Sequence, residues 1–260
     1  RKADEYPKIK LDSPEVPFIL NAQDFLYGIR QAQICASSSD LRPVMQGVFL
    51  DKDSDKFTYV ASDGATLGMV EDFMQSTGRS SFIIPERITR VLSKIIPSGC
   101  EQISITASDK NVMFDFDCYR LICRMIDGRY PNYRSVIPTT NTKKATFVKN
   151  DLISALKRVS VFCSISSSLV VCSFENDKLT LSGCDVNFYT SAEEEVSITY
   201  SGDPIKIGFK CSTLIELLSN IPSTEAIITM QDPTRAGIIR RADEEKEGLT
   251  YLIMPMVINN

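Results

Sequence analysis

Apolar positions along the chain recur with two periods. In NAQDFLYGIRQAQICAS, residues 21 to 37, Phe25, Leu26, Ile29, Ala32 and Cys35 fall at helical spacing behind Asn21, a natural cap, which predicts a helix. MQGVFLDKDSDKFTYVASDG holds two β-rich runs around a polar Asp-Lys-Asp-Ser-Asp turn and predicts a hairpin. SSFIIPERITRVLSKIIPS predicts a strand, then a helix entered near Pro85 with Ile88, Val91, Leu92 and Ile95 as its apolar stripe and Pro97 as its stop. ISIT, VMFDF and YRLICRMI read as strands. Farther on the same order returns: a helix at NDLISALKRVSVFC, strands at LVVCSF, KLTLSG and EVSITY, a helix at STLIELLSNI, and strands at AIITM, AGIIRR and LTYLIMPM.

The repetition reaches the wording. VLSKIIPSGCEQISIT, residues 91 to 106, is answered by LLSNIPSTEAIITM, residues 217 to 230, each marking a helix stopped by proline ahead of an Ile- and Thr-rich strand. Leu-Ser-x-Ile-Pro-Ser alone is an ordinary helix stop, but the matching order of elements makes it a duplication. IPTTNTKKATF, residues 137 to 147, has the composition of an exposed connector. The pattern predicts an α+β chain of two similar domains, residues 16–140 and 141–260, each with two helices packed on antiparallel sheets.

Composition narrows the chemistry. The 260 residues are 43% hydrophobic and 24% charged, without an apolar run near the roughly 18 residues of a membrane helix. The opening has no signal-peptide pattern and no initiator Met, and reads as part of a longer protein. Eight scattered cysteines without a CxxC pair read as reduced core thiols, which points to the cytoplasm. The absence of histidine excludes Ser-His-Asp and Cys-His catalysis and His-bearing zinc sites. The acidic clusters at 51–55, 193–195 and 243–247 lack calcium-loop spacing and read as solvated turns, and Asp63-Gly64 reads as a turn between strands. No phosphate loop or nucleophile elbow occurs, so the expectation is no catalytic residue, no metal and no cofactor.

The net charge of −4 argues against a nucleic-acid binder unless the cations are gathered. Arg87, Arg90 and Lys94 do share one helical face, opposite the apolar stripe, and Arg30, Lys149, Lys157 and Arg158 lie on other helices. An ordinary solvated helix face is the better explanation of these charges unless the fold brings those helices onto one surface.

Several phrases together resemble the bacterial DNA polymerase III β subunit, the sliding-clamp family: Leu41-Arg42-Pro43-Val44-Met45-Gln46-Gly47, Ala61-Ser62-Asp63-Gly64, Asp127-Gly128-Arg129-Tyr130-Pro131-Asn132-Tyr133-Arg134, Ile207-Gly208-Phe209 and Tyr251-Leu252-Ile253-Met254-Pro255-Met256. The resemblance implies the DNA-clamp fold, with this chain spanning the second and third of three similar domains. Residues 1–15, including Glu5-Tyr6-Pro7, resemble the tail of the first. It implies a bacterial, cytoplasmic, non-catalytic processivity factor of the replicative polymerase, a homodimeric ring whose helices face duplex DNA without regard to sequence. Arg42, Arg87, Arg90, Lys94, Lys149, Lys157 and Arg158 become the candidate DNA contacts. Phosphate contacts carry no base information and yield to salt, which suits sliding.

The resemblance also implies a hydrophobic groove between the two domains for short peptides of the polymerase III catalytic subunit, the clamp loader, other polymerases and mismatch-repair proteins. Its wall would be Met45, Ser62, Gly64, Ala65, Thr66, Leu67, Pro131, Ser135, Val136, Leu252, Ile253, Met254, Pro255 and Met256, with Gly208 and Thr213 on shorter matches. Val161 and Phe162 match the ring-closing interface; without a first domain the chain is expected to be a monomer. The chain departs from the family pattern at Ala65-Thr66, where His-Arg is frequent, at Ser135, where Arg is frequent, and at Val257-Ile258, where Arg-Leu is usual. Those losses predict a more apolar groove. Two rival readings are a clamp-like paralogue serving as a protein scaffold without a replication role and a carboxylate metal nuclease; no acidic set in the sequence converges on a phosphate site for the latter.

Overall fold

The computed structural model describes residue 11 and residues 14–53, 55–73, 78–243 and 248–258. The readings placed on residues 1–10, 12 and 13, on position 54 of the first acidic turn and on residues 244–247 of the last acidic cluster lie outside the described residues. The chain forms two units: Arg1–Asp63 with Met69–Pro131, and Gly64–Gly68 with Asn132–Asn260.

The first unit runs β1 (Phe18–Asn21), α1 (Ala22–Gln33), β2 (Gly47–Lys52), β3 (Lys56–Ser62), β4 (Thr66–Phe73), β5 (Ser80–Pro85), α2 (Glu86–Ile95), β6 (Gln102–Ala107), β7 (Asn111–Phe116) and β8 (Tyr119–Arg124). One antiparallel sheet has the order β1-β6-β7-β8, and β4, β3, β2 and β5 lie side by side in that order in another. Asn21 caps α1 as its type predicts, its side chain accepting from the amides of Gln23 and Asp24. Phe25, Leu26, Ile29 and Ala32 are buried on the sheet side. The helix ends at Gln33, four residues short of the predicted end. Ser37 Oγ accepts from the Ser39 amide and Ser39 Oγ from the Leu41 amide, so these serines satisfy the backbone locally and compete with further helix.

Gly28 seats α1. A Cβ there would stand 2.5 Å from the Tyr59 ring, so the absence of a side chain lets the helix lie on that aromatic. The β2–β3 hairpin forms as expected, with the Asp53 amide donating to the Lys56 carbonyl.

The second unit runs β9 (Lys143–Val148), α3 (Lys149–Ser160), β10 (Leu169–Glu175), β11 (Lys178–Asp185), β12 (Thr190–Ser197), β13 (Thr199–Ser201), β14 (Ile205–Lys210), α4 (Cys211–Ser219), β15 (Glu225–Met230), β16 (Gly237–Arg241) and β17 (Leu249–Ile253). One sheet has the order β12-β11-β10-β14, and β13, β9, β15, β16 and β17 follow one another in the other. Apart from the short β13, the two units share one plan strand for strand, β1-β6-β7-β8 answering β9-β15-β16-β17. The Ala22 amide bonds to Glu101 O at 3.0 Å and the Lys149 amide to Thr224 O at 2.9 Å, the same stitch in each copy between the start of the first helix and the strand after the second. The doubled phrase has a structural meaning: Leu92 and Leu218 are fully buried, and Ile96 and Ile221, each just before the stopping proline, are buried beside them.

Two expectations are corrected. EVSITY is not one strand. Ile198 interrupts it, its amide donating to Asp177 O while Asp177 Oδ1 takes the Tyr200 amide, and the chain passes from β12 into β13 of the other sheet. Glu193, Glu194 and Glu195 are not a turn; they lie in β12, an edge strand of its sheet. Charged side chains suit an exposed edge, where they oppose pairing with stray strands.

Candidate functional site

The basic face of α2 follows from its register. At about 100° per residue, the buried Thr89 and Leu92 define one side, and Arg87, Arg90 and Lys94 fall on the other, all exposed. Val91, predicted in the apolar stripe, sits roughly 130° from that buried midpoint and is 36% exposed. Thr89 takes the core position instead, its hydroxyl donating to the Glu86 carbonyl at 2.7 Å and meeting Gln33 Oε1 at 2.6 Å. Arg90 is ion-paired to Glu86 one turn back, at 2.9 Å from Nε. Arg30 of α1 donates to the Ser93 carbonyl at 2.7 Å, satisfying an orphan acceptor in the last turn of α2. Arg42 is exposed just before the 3₁₀ turn Pro43–Met45, with Nη1 4.0 Å from Met45 Sδ.

The cations of the second unit are spent differently. Lys149, half-buried at the start of α3, donates from Nζ to the Ile221 carbonyl at 2.7 Å and so closes the end of α4. Arg158 pairs with Glu194 of β12, Nε to Oε2 at 3.0 Å, which raises the guanidinium pKa and holds the carboxyl below its ordinary range. Lys157 is exposed, with no ion pair among the described residues. The candidate set therefore sorts in two. Arg42, Arg87, Lys94 and Lys157 present their charge to solvent, whereas Lys149, Arg158 and Arg90 have protein partners.

Within the second unit the apolar candidates are built around the segment after β17. Leu252 and Ile253 are buried, and the chain then turns outward: Met254 is 42% exposed, Val257 is 82% exposed, and Pro255 and Met256 are half-buried. Two backbone bonds hold this segment, Met254 N to Ala65 O at 2.8 Å and Met256 N to Gly208 O at 2.8 Å. Gly208 is required by the second: a Cβ there would stand 2.9 Å from Met256 O and closer still to Leu169. Gly64 has a φ of 93°, the left-handed region glycine favours, and with Ala65 is exposed, while Thr66 and Leu67 are buried beneath. Val136 is 55% exposed, Ser135 is exposed with its hydroxyl on Asn132 O, and Thr213 is half-buried. Of the candidates in the first unit, Met45 is buried, Ser62 half-buried and Pro131 exposed.

Val161 and Phe162, just past the end of α3, are both exposed. Ile165, Val186, Phe188 and Tyr189 of the same unit are exposed too, Tyr189 with a φ of 52°. A cleft of about 570 Å³ in this unit is lined by Ser164, Leu169, Val171, Gly183, Cys184 and Val186 among others. The sequence reading missed these residues; the usable signal was a run of large apolar side chains in VNFYT, where the strand pattern pauses between β11 and β12.

Comparison with known proteins agrees with this architecture. The family described as DNA polymerase III beta subunit, central domain, matches residues 19–132, and its C-terminal domain matches residues 134–257. The beta sliding clamp of Synechococcus elongatus is 26% identical over 265 residues, spanning 99% of this chain and 70% of the relative. That of Treponema pallidum is 26% identical over 259 residues, spanning 97% and 69%. Among solved structures, a DNA polymerase sliding clamp from Pseudomonas aeruginosa superposes with a TM-score of 0.94 at 20% identity, over 99% of this chain and 70% of that one. The DNA polymerase III beta subunit of Thermotoga maritima gives 0.92 at 22%, again over 99% and 70%. At such identities the structures speak for the fold.

Proposed function

We propose, from the premise that the chain belongs to the DNA polymerase III beta subunit family, that it serves in the bacterial cytoplasm as a sliding clamp: a ring of two copies around duplex DNA that tethers the replicative polymerase. The observation that carries this reading is the α2 face, with Arg87, Arg90 and Lys94 exposed opposite its core side. Long cations on a helix surface reach phosphates at any sequence. Such phosphate contacts are individually replaceable, so the protein moves along the duplex instead of gripping one site. Retention then comes from topology.

The segment Met254–Met256 with Val136 and Val257 supports a docking role for short peptides of the polymerase catalytic subunit, the clamp loader, other polymerases and mismatch-repair proteins. Methionine is flexible and polarisable, so one surface accommodates several apolar anchors. Two such anchors contribute about 1.5–3 kcal/mol each before ordering costs, which gives exchangeable binding. Val161 and Phe162, with Ile165, Phe188 and Tyr189 also exposed in the same unit, supply the apolar face for ring closure. The protein's part is non-catalytic.

The test uses the full-length protein, loaded onto nicked circular DNA by its clamp loader and isolated by gel filtration. Retention on circles and rapid loss after linearisation are expected. Equal loss from both forms overturns the reading.

A further inference from the structure

The eight thiols are not equivalent. Cys118 and Cys184 are exposed, Cys100 is half-buried, and Cys35, Cys123, Cys163, Cys172 and Cys211 are buried. Three of the buried five belong to the second unit, and two of these share one face of α3. Cys163 Sγ stands 3.6 Å from Val159 O, and Cys211 Sγ stands 3.6 Å from Leu156 O, carbonyls three residues apart on that helix. Cys163 follows the C-terminal end of α3 and Cys211 opens α4, and the two helices pack on each other.

We propose that Cys163 and Cys211 form a reversible oxidation site, which closes to a disulfide on exposure to hydrogen peroxide. The Cys163 sulfur attacks one peroxide oxygen, the O–O bond breaks, and water and a sulfenic acid result. The Cys211 sulfur then attacks the Cys163 sulfur, the S–O bond breaks, and the hydroxyl leaves as water with the Cys211 proton. Two thiols lose two electrons and the peroxide becomes two waters.

Three observations set this pair apart. The Cys163 and Cys211 thiols interact with each other, the contact lowering the pKa of Cys163 and raising that of Cys211; of the two, Cys163 alone keeps some exposure, which makes it the attacking sulfur and Cys211 the resolving one. Cys172 is fully buried with its thiol pushed up to about 12 by burial, so it does not compete with Cys163 as the attacking sulfur. Access comes from the neighbour of Cys163: Ser164 lines the 570 Å³ cleft, while the missing Gly183 side chain, which would begin 2.6 Å from the Cys163 sulfur, lets the thiol pack closely on β11. Cys163 itself keeps 6% of its surface exposed, which is the route for a small oxidant.

The experiment treats the chain carrying Cys118→Ser and Cys184→Ser with hydrogen peroxide, counts free thiols after denaturation, and maps peptides by mass spectrometry without reduction. The expected result is a loss of two thiols, a linked pair of peptides holding Cys163 and Cys211, and full recovery with dithiothreitol. Adding Cys211→Ser should abolish the linkage and leave a dimedone-reactive sulfenic acid at Cys163. Mapping the unsubstituted chain gives the same answer should that variant fold poorly. An undiminished thiol count, or a linkage through Cys172 or Cys100, overturns the proposal.

Discussion

The Arg158 guanidinium lies against the Glu194 carboxylate, joining the last turn of α3 to the edge strand β12. That contact makes the charge at Arg158 largely local, while Lys157, its neighbour in sequence, presents an unshared charge. Lys157→Ala is therefore expected to lower the slope of log K against log salt for duplex DNA by about 1, the effect of one lost phosphate contact. Arg158→Ala should change it by much less. Glu194→Gln, which frees Arg158, should strengthen binding at low salt. Fluorescence anisotropy across a salt series checks all three, and equal slopes for the two alanine variants would show that the ion pair does not occupy Arg158.

Asp72 titrates in the opposite sense from a salt-bridged acid. Partial burial and the neighbouring Asp24 raise its pKa above the ordinary 3.8. A raised folded-state value means that the folded protein holds the proton more tightly than the unfolded chain. Stability from this group is present at low pH and falls as pH rises through the folded value. Asp72→Asn should accordingly raise Tm at pH 7, by about 1–2 °C for a half-exposed group, with the gain vanishing below the ordinary carboxylate range. Thermal melts between pH 3 and 7 decide it; a gain that persists at pH 3 would assign the effect to something other than the charge.

Much of the fold was legible because both copies obey the same local rules. Asn21 caps α1, Pro85 and Pro97 bracket α2, and the Leu and Ile before each stopping proline are core residues in both units. What escaped depended on partners distant in sequence. Nothing near Lys149 announces that its ammonium closes α4 across 72 residues, and nothing near Arg158 announces Glu194. Composition marks a cation, but only tertiary structure says whether its charge is already spent. Val91 was misplaced for a related reason. Its type suits the core, yet the helix register gave that position to Thr89, whose hydroxyl is satisfied by its own helix. The role of Gly28 was likewise silent, since a helix-interior glycine is a weak point until the ring beneath it is known.

That ring makes Gly28 a sharp test of packing. Ala is ordinarily the better helix former by about 1 kcal/mol, so an open site would be stabilised by the change. Here the added methyl meets a fully buried Tyr59 at 2.5 Å from two ring carbons, wedged among Phe25 and Phe57. Gly28→Ala is expected to destabilise the chain by about 1–3 kcal/mol, read as a lower urea midpoint. A midpoint unchanged or raised would mean that α1 lifts off the sheet without cost.

The apolar segment after β17 carries the last prediction. Met254 offers its side chain while its amide is tied to Ala65, so Met254→Ala removes an anchor without loosening the backbone. A loss of about tenfold in affinity for an apolar clamp-binding peptide is expected, the equivalent of one partly buried side chain. Gly208→Ala works through geometry alone: its methyl would press on Met256 O at 2.9 Å and displace the segment, weakening the same peptide although residue 208 is itself buried. Because Ala65, Thr66, Ser135 and Val257 bring no positive charge, peptides with and without acidic residues should bind within a few-fold of each other, and their affinities should respond little to salt. Isothermal titration with matched acidic and neutral peptides measures this. A clear preference for the acidic peptide that salt abolishes would place an unrecognised cation at the site and refute the apolar account.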